Sequence, residues 1–217
     1  MNSNEVCAKE EGSSQLLYAK FSSSKHDIDT VSRLIIETDT ELSELFFGSD
    51  RNKAVHKVKR LISMGRNSYG HENIYVACHD SQVLGIVVAY SRDDKVDWPE
   101  LRTLLGVMDI CEKAKFIFLI IPLIEIIMPE DLVPGDLYIS NVVVGGEYRR
   151  QGVGSFLLDK VKEQVGRGGF KRLWLYVSYD NEIAIKLYEK MGFRVCRKRK
   201  LHLPWLKVET YKMELVL

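Results

Sequence analysis

Residues 147–158, EYRRQGVGSFLL, set two arginines and a glutamine before two glycines one residue apart, and then an apolar run. A helix N-terminus offers unpaired backbone N–H groups and about half a positive charge, so it attracts anions. Gly152 and Gly154 carry no side chain that would hold a phosphate at a distance, and both accept unusual dihedrals. Arg149 and Arg150 add charge-assisted donors. The combination suits a phosphate or a pyrophosphate. Two familiar phosphate patterns do not fit. No GxxxxGK[ST] stretch is present, and the dinucleotide pattern GxGxxG lacks its third glycine, because GVG is followed by Ser155, Phe156 and Leu157. A glycine pair at a strand–helix turn can also be purely structural, so the chemistry depends on the elements around it.

Those elements are regular. LYISNVVV (137–144) predicts a strand ahead of the turn, and Val153, Phe156, Leu157, Val161 and Val165 predict a helix from 152 to about 165. GRGG ends it, since glycine suits the left-handed C-terminal cap. KRLWLYV is apolar on both faces and predicts a central strand. Asp180 or Asn181 can cap a helix in which Ile183, Ala184, Leu187, Tyr188 and Met191 share a face, with Gly192 just past its end. FRVCRKRKL and VETYKMELVL predict two closing strands.

Upstream, QLLYAKF predicts a first strand, and Ile28, Val31, Leu34 and Ile35 a helix with Asp27 or Asp29 near its start. NKAVHKVKRLISM predicts a second helix, and residues 74–90 a hairpin. Residues 91–135 break the rhythm as a helical insertion with too few residues for a core of its own. The expectation is a polar, flexible N-terminus at 1–14 and a single α/β (α+β) domain over 15–217.

Composition narrows the function. Basic and acidic residues number 31 and 30, for a net charge of +1, which disfavours bulk electrostatic binding to nucleic acid or membrane. Cys7, Cys78, Cys111 and Cys196 form no CxxC, and the five histidines do not join them at ligand spacing, so no metal site is expected. Scattered thiols fit a reducing cytoplasm, and the first 14 residues contain no apolar signal segment. FIFLIIPLIEIIM (116–128) is only 13 residues long and contains Pro122 and Glu125, whereas a spanning helix needs about 20 apolar residues. It is expected to be a buried helix or the wall of an apolar groove.

RRQGVG after an apolar strand, followed by LYVSYDNEIAIKLYEKMGF (175–193), resembles the GNAT superfamily of acyl-CoA-dependent N-acyltransferases. Within it the closest flavour is that of the ribosomal-protein alanine and other N-terminal acetyltransferases. The resemblance is strong over 136–217. It implies a mixed, mostly antiparallel central sheet of about seven strands, helices on both faces, and a parallel, splayed pair of strands 4 and 5. It implies acetyl-CoA as co-substrate and a primary amine of a small molecule, peptide or protein as acceptor; the alternative is a non-catalytic CoA-binding regulatory module. The backbone of Arg150, Gln151, Gly152, Val153, Gly154 and Ser155, with Arg149, would surround the pyrophosphate. Val142, Val143 and Val144 would line the pantetheine arm, and Asn181 would contact it. Tyr188 would give a proton to the departing thiolate.

The base is where this chain departs from the resembling enzymes, which carry a glutamate at the position of Tyr176. The expectation is that Tyr176 acts through a water, that Glu37, Glu41 or Glu125 reaches the site, or that no dedicated base exists. Phe46, Phe47, Trp98, Trp205 and the 116–128 run suggest an apolar acceptor groove, or else a larger core or a homodimer contact. RVCRKRK (194–200) is expected to be a solvated strand end rather than a phosphate-binding patch.

Overall fold

The computed structural model describes residues 16–38, 40–91, 103, 105–111, 113, 114, 133–203 and 206–216. The expectations for residues 1–14, for Trp98, Glu125 and Trp205, and for the 116–128 run lie outside them. The strands are β1 (Leu17–Lys20), β2 (Ile74–His79), β3 (Gln82–Ser91), β4 (Asp136–Val144), β5 (Arg172–Ser178), β6 (Arg194–Leu203) and β7 (Leu206–Val216). The helices are α1 (Ile28–Glu37), α2 (Thr40–Phe47), α3 (Arg51–Met64), α4 (Val153–Gly168) and α5 (Glu182–Lys190). One seven-stranded sheet runs in the order β1-β2-β3-β4-β5-β7-β6. Every pair is antiparallel except β4 with β5.

The period-2 alternation of β2 and β3 divides the core between two faces. Ile74, Val76, Cys78, Ile86 and Val88 pack with Val31, Leu34 and Ile35 of α1 and Val58, Leu61 and Ile62 of α3. Ala77, Val87 and Ala89 pack on the other face with Leu157, Leu158, Val161 and Val165 of α4. Helix α1 starts where Asp27 accepts from the backbone N–H groups of Asp29 and Thr30, and Asp50 caps α3 in the same way.

Helix α2 was not expected, and it changes the reading of its phenylalanines. Phe47 is 2% exposed and belongs to the core. Its carbonyl, at the end of α2, accepts from buried Lys57 Nζ at 2.9 Å. Helix α4 also runs three residues past the expected Val165, and Gly169 (φ 70°) stops it.

Strand β4 is bent by a bulge. Ile139 faces Ala89 and Asn141 faces Val88, so Ser140 is an extra residue. The insertion reverses the alternation. Leu137 and Ile139 point to the α4 core before it, and Val142 and Val144 do so after it. Tyr138 and Val143 belong to the opposite face.

Strands β4 and β5 pair over only four positions, from Asp136↔Arg172 to Ile139↔Leu175. Beyond them β4 follows β3 to Val144↔Gly85, while β5 follows β7 to Ser178↔Thr210. The sheet therefore opens. At the closed end Arg172 Nε bonds both oxygens of Asp136 at 3.1 Å, a further bond joins its Nη2 to Oδ2, and Nη1 lies 3.4 Å from Glu214. Asp136 is 3% exposed, so it relies on this partner for its charge. Asp136→Asn should cost about 3 kcal/mol, read as a lower urea midpoint at constant slope. Glu214→Gln, at a more exposed partner, should cost less than about 1 kcal/mol.

Candidate active site

The opening between β4 and β5 is walled on one side by residues 140–144 and on the other by residues 176–178. Gly145 N–H donates to Leu84 O at 2.9 Å, towards β3. Alternate residues of an extended strand direct their polar groups to opposite sides, so Val142 and Val144 present theirs to the opening. The carbonyl of Val144 is taken by Arg149 Nε at 3.1 Å. Val142 keeps a backbone edge there with no β5 residue opposite.

The turn at the mouth consists of a single 3₁₀ turn, Gly146–Tyr148, and then exposed Arg149, Arg150 and Gln151. Gln151 Nε2 donates to Glu147 O at 2.8 Å, and Arg150 (φ 61°) and Gly152 (φ 85°) both adopt left-handed backbone. Asp27, Asp50 and Asn181 cap α1, α3 and α5 with side-chain oxygens; α4 starts at Gly152 with no side-chain cap. The first-turn donors of α4 are thus left for an anion. The two glycines serve different needs. Gly152 supplies a left-handed conformation in open space, whereas a Cβ on Gly154 would lie 3.3 Å from Leu187 and 3.7 Å from Val144. Gly154 lets α4 approach β4 and α5.

Asn181, not Asp180, caps α5: its Oδ1 accepts from Ala184 N–H at 3.2 Å, which leaves its amide donors available. At the other end Gly192 N–H bonds Glu189 O and Phe193 N–H bonds Tyr188 O, both at 3.0 Å, with Gly192 at φ 94°. This lock fixes the turn that carries Tyr188. Tyr188 is 7% exposed, packs in the α4-side core, and has its ring centre 5.8 Å from Phe193. Burial pushes its phenol up to about 12.

Tyr176 lies on the opposite face of the sheet. There Tyr90, Tyr138 and Trp174 form a buried cluster against which it packs. Its ring is 5.5 Å from that of Trp174 and 6.3 Å from that of Tyr138, and the Arg199 guanidinium sits 4.8 Å over it. Lys212, directly opposite Tyr176 in β7, holds its ammonium 4.2 Å over Trp174. Trp174 Nε1 is buried without a hydrogen-bond acceptor among the described residues. Burial first, and then neighbouring Tyr176, keep the Tyr138 phenol protonated.

Of the residues singled out in the sequence, 142–144 lie along one wall, the 149–155 turn lies at the mouth, Asn181 starts α5, and Tyr176 and Tyr188 lie on opposite faces of the sheet. Tyr138, which joins Tyr176 on that face, was not singled out, because the bulge at Ser140 masks its parity; its aromatic character was the available signal. Glu37 is paired with Arg51 at the end of α1, and the side chain of Glu41 is outside the described residues. Residues 194–200 form most of the exposed edge strand β6, with Lys200 paired to Glu209. Among the described residues no group of three or more His, Cys, Asp or Glu could hold a metal, and no helix is long and apolar enough to cross a membrane.

An opening between parallel strands, beside an uncapped helix N-terminus, defines a slot suited to an extended ligand that carries an anionic group. The family model for the acetyltransferase (GNAT) family matches residues 40–193, and the chain belongs to that family. It is 46% identical over 56 residues to GCN5-related N-acetyltransferase 7, chloroplastic, of Arabidopsis thaliana, covering 26% of this chain and 20% of that protein. It is 38% identical over 64 residues to the ribosomal protein bS18-alanine N-acetyltransferase of Escherichia coli, covering 30% and 43%. The matched stretches therefore span less than half the length of these curated relatives. A crystal structure of an N-acetyltransferase from Staphylococcus aureus shares the fold, with a TM-score of 0.67 over 92% of this chain and 100% of that one at 16% identity.

The Tyr188 environment has a pH consequence. Its folded pKa lies above the ordinary value of 10.0, so its contribution is complete below pH 10 and is lost as pH rises through about 12. Urea unfolding should show wild type losing about 2 kcal/mol more than Tyr188→Phe across that interval. Tyr18, also kept protonated by burial, should lower the stability of both proteins alike.

Proposed function

We propose that this protein is an N-acetyltransferase that moves the acetyl group of acetyl-CoA directly to a primary amine of a small molecule, peptide or protein. One observation carries the reading. The opening between β4 and β5 passes through the sheet, with Tyr188 on one face and Tyr176 on the other. A leaving sulfur and an incoming amine need such opposite approaches to one carbonyl carbon.

Acetyl-CoA supplies the thioester. The uncapped start of α4 supports a pyrophosphate cradle made by the backbone of Arg150, Gln151, Gly152, Val153, Gly154 and Ser155, with Arg149 alongside. The free backbone edge at Val142 supports strand-like pairing along residues 142–144, and one N–H there would stabilise the oxyanion by a few kcal/mol. The Nδ2 of Asn181 would hold the pantetheine arm while its Oδ1 caps α5. Tyr188, protonated throughout the physiological range, would donate to the departing sulfur; the burial that weakens it as an acid also raises the thiol's pKa, so the proton can follow the sulfur. Tyr176 stands at the base position, where its hydroxyl would relay the amine's proton by way of a water, accepting one proton as it passes its own on to solvent. Balanced charge and scattered thiols support a cytoplasmic setting.

Calorimetry tests the cradle. Acetyl-CoA should bind with a Kd on the order of micromolar, and the Arg149→Ala, Gly152→Asp double variant should weaken it by at least about tenfold. Tyr188→Phe should lower kcat by about 10- to 100-fold, with acetyl-CoA affinity kept within about twofold. No binding by wild type would overturn the reading. Binding without thiol release across a broad amine panel would replace it with a CoA-binding regulatory module.

A further inference from the structure

We propose that Tyr148 is a positioning residue for the co-substrate: with Gln82 it fixes the turn at residues 145–152 against the β2–β3 hairpin, so that the first-turn donors of α4 stand ready for a pyrophosphate. The inference rests on the transferase reading and gives a task to two side chains that otherwise take no part in it.

The turn between β4 and α4 has two kinds of tie. Gln151 Nε2 donates to Glu147 O at 2.8 Å, Arg149 Nε to Val144 O at 3.1 Å, and Tyr148 N–H to Gly145 O at 2.8 Å. All three bonds lie within residues 144–151, so they set the shape of the turn and not its place. Two further ties lead out of it. Gly145 N–H donates to Leu84 O at 2.9 Å, and the Tyr148 hydroxyl accepts from Gln82 Nε2 at 2.6 Å, across 66 positions of chain. Both end on the first residues of β3. Gln82 is a firm post there. It pairs with His79 across the two-residue turn Asp80–Ser81, and three residues on Gly85 pairs with Val144 at the end of β4. A group carried on a paired strand is held more closely than one carried on a loop.

The ring of Tyr148 is seated as well. It packs against the α4-side core, and a Cβ on Gly145 would lie 3.2 Å from its Cδ2 and 3.4 Å from Leu84 O. Gly145, at φ −53°, is thus needed for room rather than for conformation. Stability does not account for the hydroxyl's bond, which is exposed and is exchanged for bonds to water on unfolding. The backbone that follows does account for it. Arg150, two residues on, is a non-glycine residue in left-handed backbone (φ 61°), and Gly152 comes next at φ 85°. A residue such as Arg150 keeps that conformation only where its surroundings impose it. Tyr148 holds the segment from one side and α4 from the other. A pyrophosphate then meets donors already in place, which lowers the ordering cost of binding.

Calorimetry with acetyl-CoA on the whole chain tests this, using Tyr148→Phe, which keeps the ring, Gln82→Leu, and the two together. Each single variant should raise the Kd about fivefold, and the pair should raise it no further, because both remove the same bond. Melting temperatures of the free proteins should stay within about 2 °C of wild type. Backbone amides of residues 149–152 should exchange faster with solvent in either variant, while those of β4 and the body of α4 keep their rates. An unchanged Kd in Tyr148→Phe, with or without a fall in melting temperature, would overturn the inference and leave the transferase reading intact. Effects that multiply in the double variant would overturn it too, since the two side chains would then act apart. Failure of the wild type to bind acetyl-CoA would instead remove the reading beneath it.

Discussion

The site exists because the parallel pairing of β4 and β5 stops after four positions. Each strand has a better-matched antiparallel neighbour for the rest of its length: β3 holds β4, and β7 holds β5 to its end. The bulge at Ser140 bends β4 as the pairing ends, and bulges increase local twist. Below the fork, Arg172 joins β4, β5 and β7 through Asp136 and Glu214. The clamp keeps the vertex closed while the arms diverge. Without it the sheet would have either no opening or no common base for its two walls.

A gap through a sheet exposes backbone that would otherwise be paired, and unpaired backbone in a buried setting is costly. Here one edge is partly satisfied by Arg149, which bonds the Val144 carbonyl. The gap also separates two chemical environments. On the α4 side Tyr188 is held in an apolar core by the hydrogen bonds around Gly192. On the other side, Tyr138, Trp174 and Tyr176 form an aromatic wall with Lys212 and Arg199 seated on ring faces. Burial keeps Tyr138 and Tyr188 protonated, so both keep a hydroxyl proton to donate at neutral pH.

The N-terminal half supplies the platform for this wall. Helices α1 and α3 cover the sheet face that carries Tyr138, and α2 ends where Phe47 is buried and its carbonyl is held by Lys57. The ring of Tyr69 meets Phe47 edge-on at that helix end. Phe46 and Phe47 suggested a groove from sequence. In the fold Phe47 belongs to the core, a distinction that hydrophobicity alone does not make.

Local chemistry was legible wherever a residue's role depends on its chain neighbours. Periodicity predicted α1, α3, α4, α5 and the strands, and glycine marked the ends of α4 and α5 because a left-handed residue is needed there. The glycine-kinked turn ahead of α4 was recognisable because its arginines and its glycines are contiguous. What required tertiary structure involved partners distant in the chain. The insertion of β7 between β5 and β6 does not follow from strand patterns, and the splaying of β4 from β5 was expected only through the family resemblance, because pairing depends on competition among edges. The one-residue bulge at Ser140 reversed the parity on which any facing argument depends, and so concealed Tyr138. The division of Tyr188 and Tyr176 between opposite faces was decided in the same way, by how the sheet folds around its own opening.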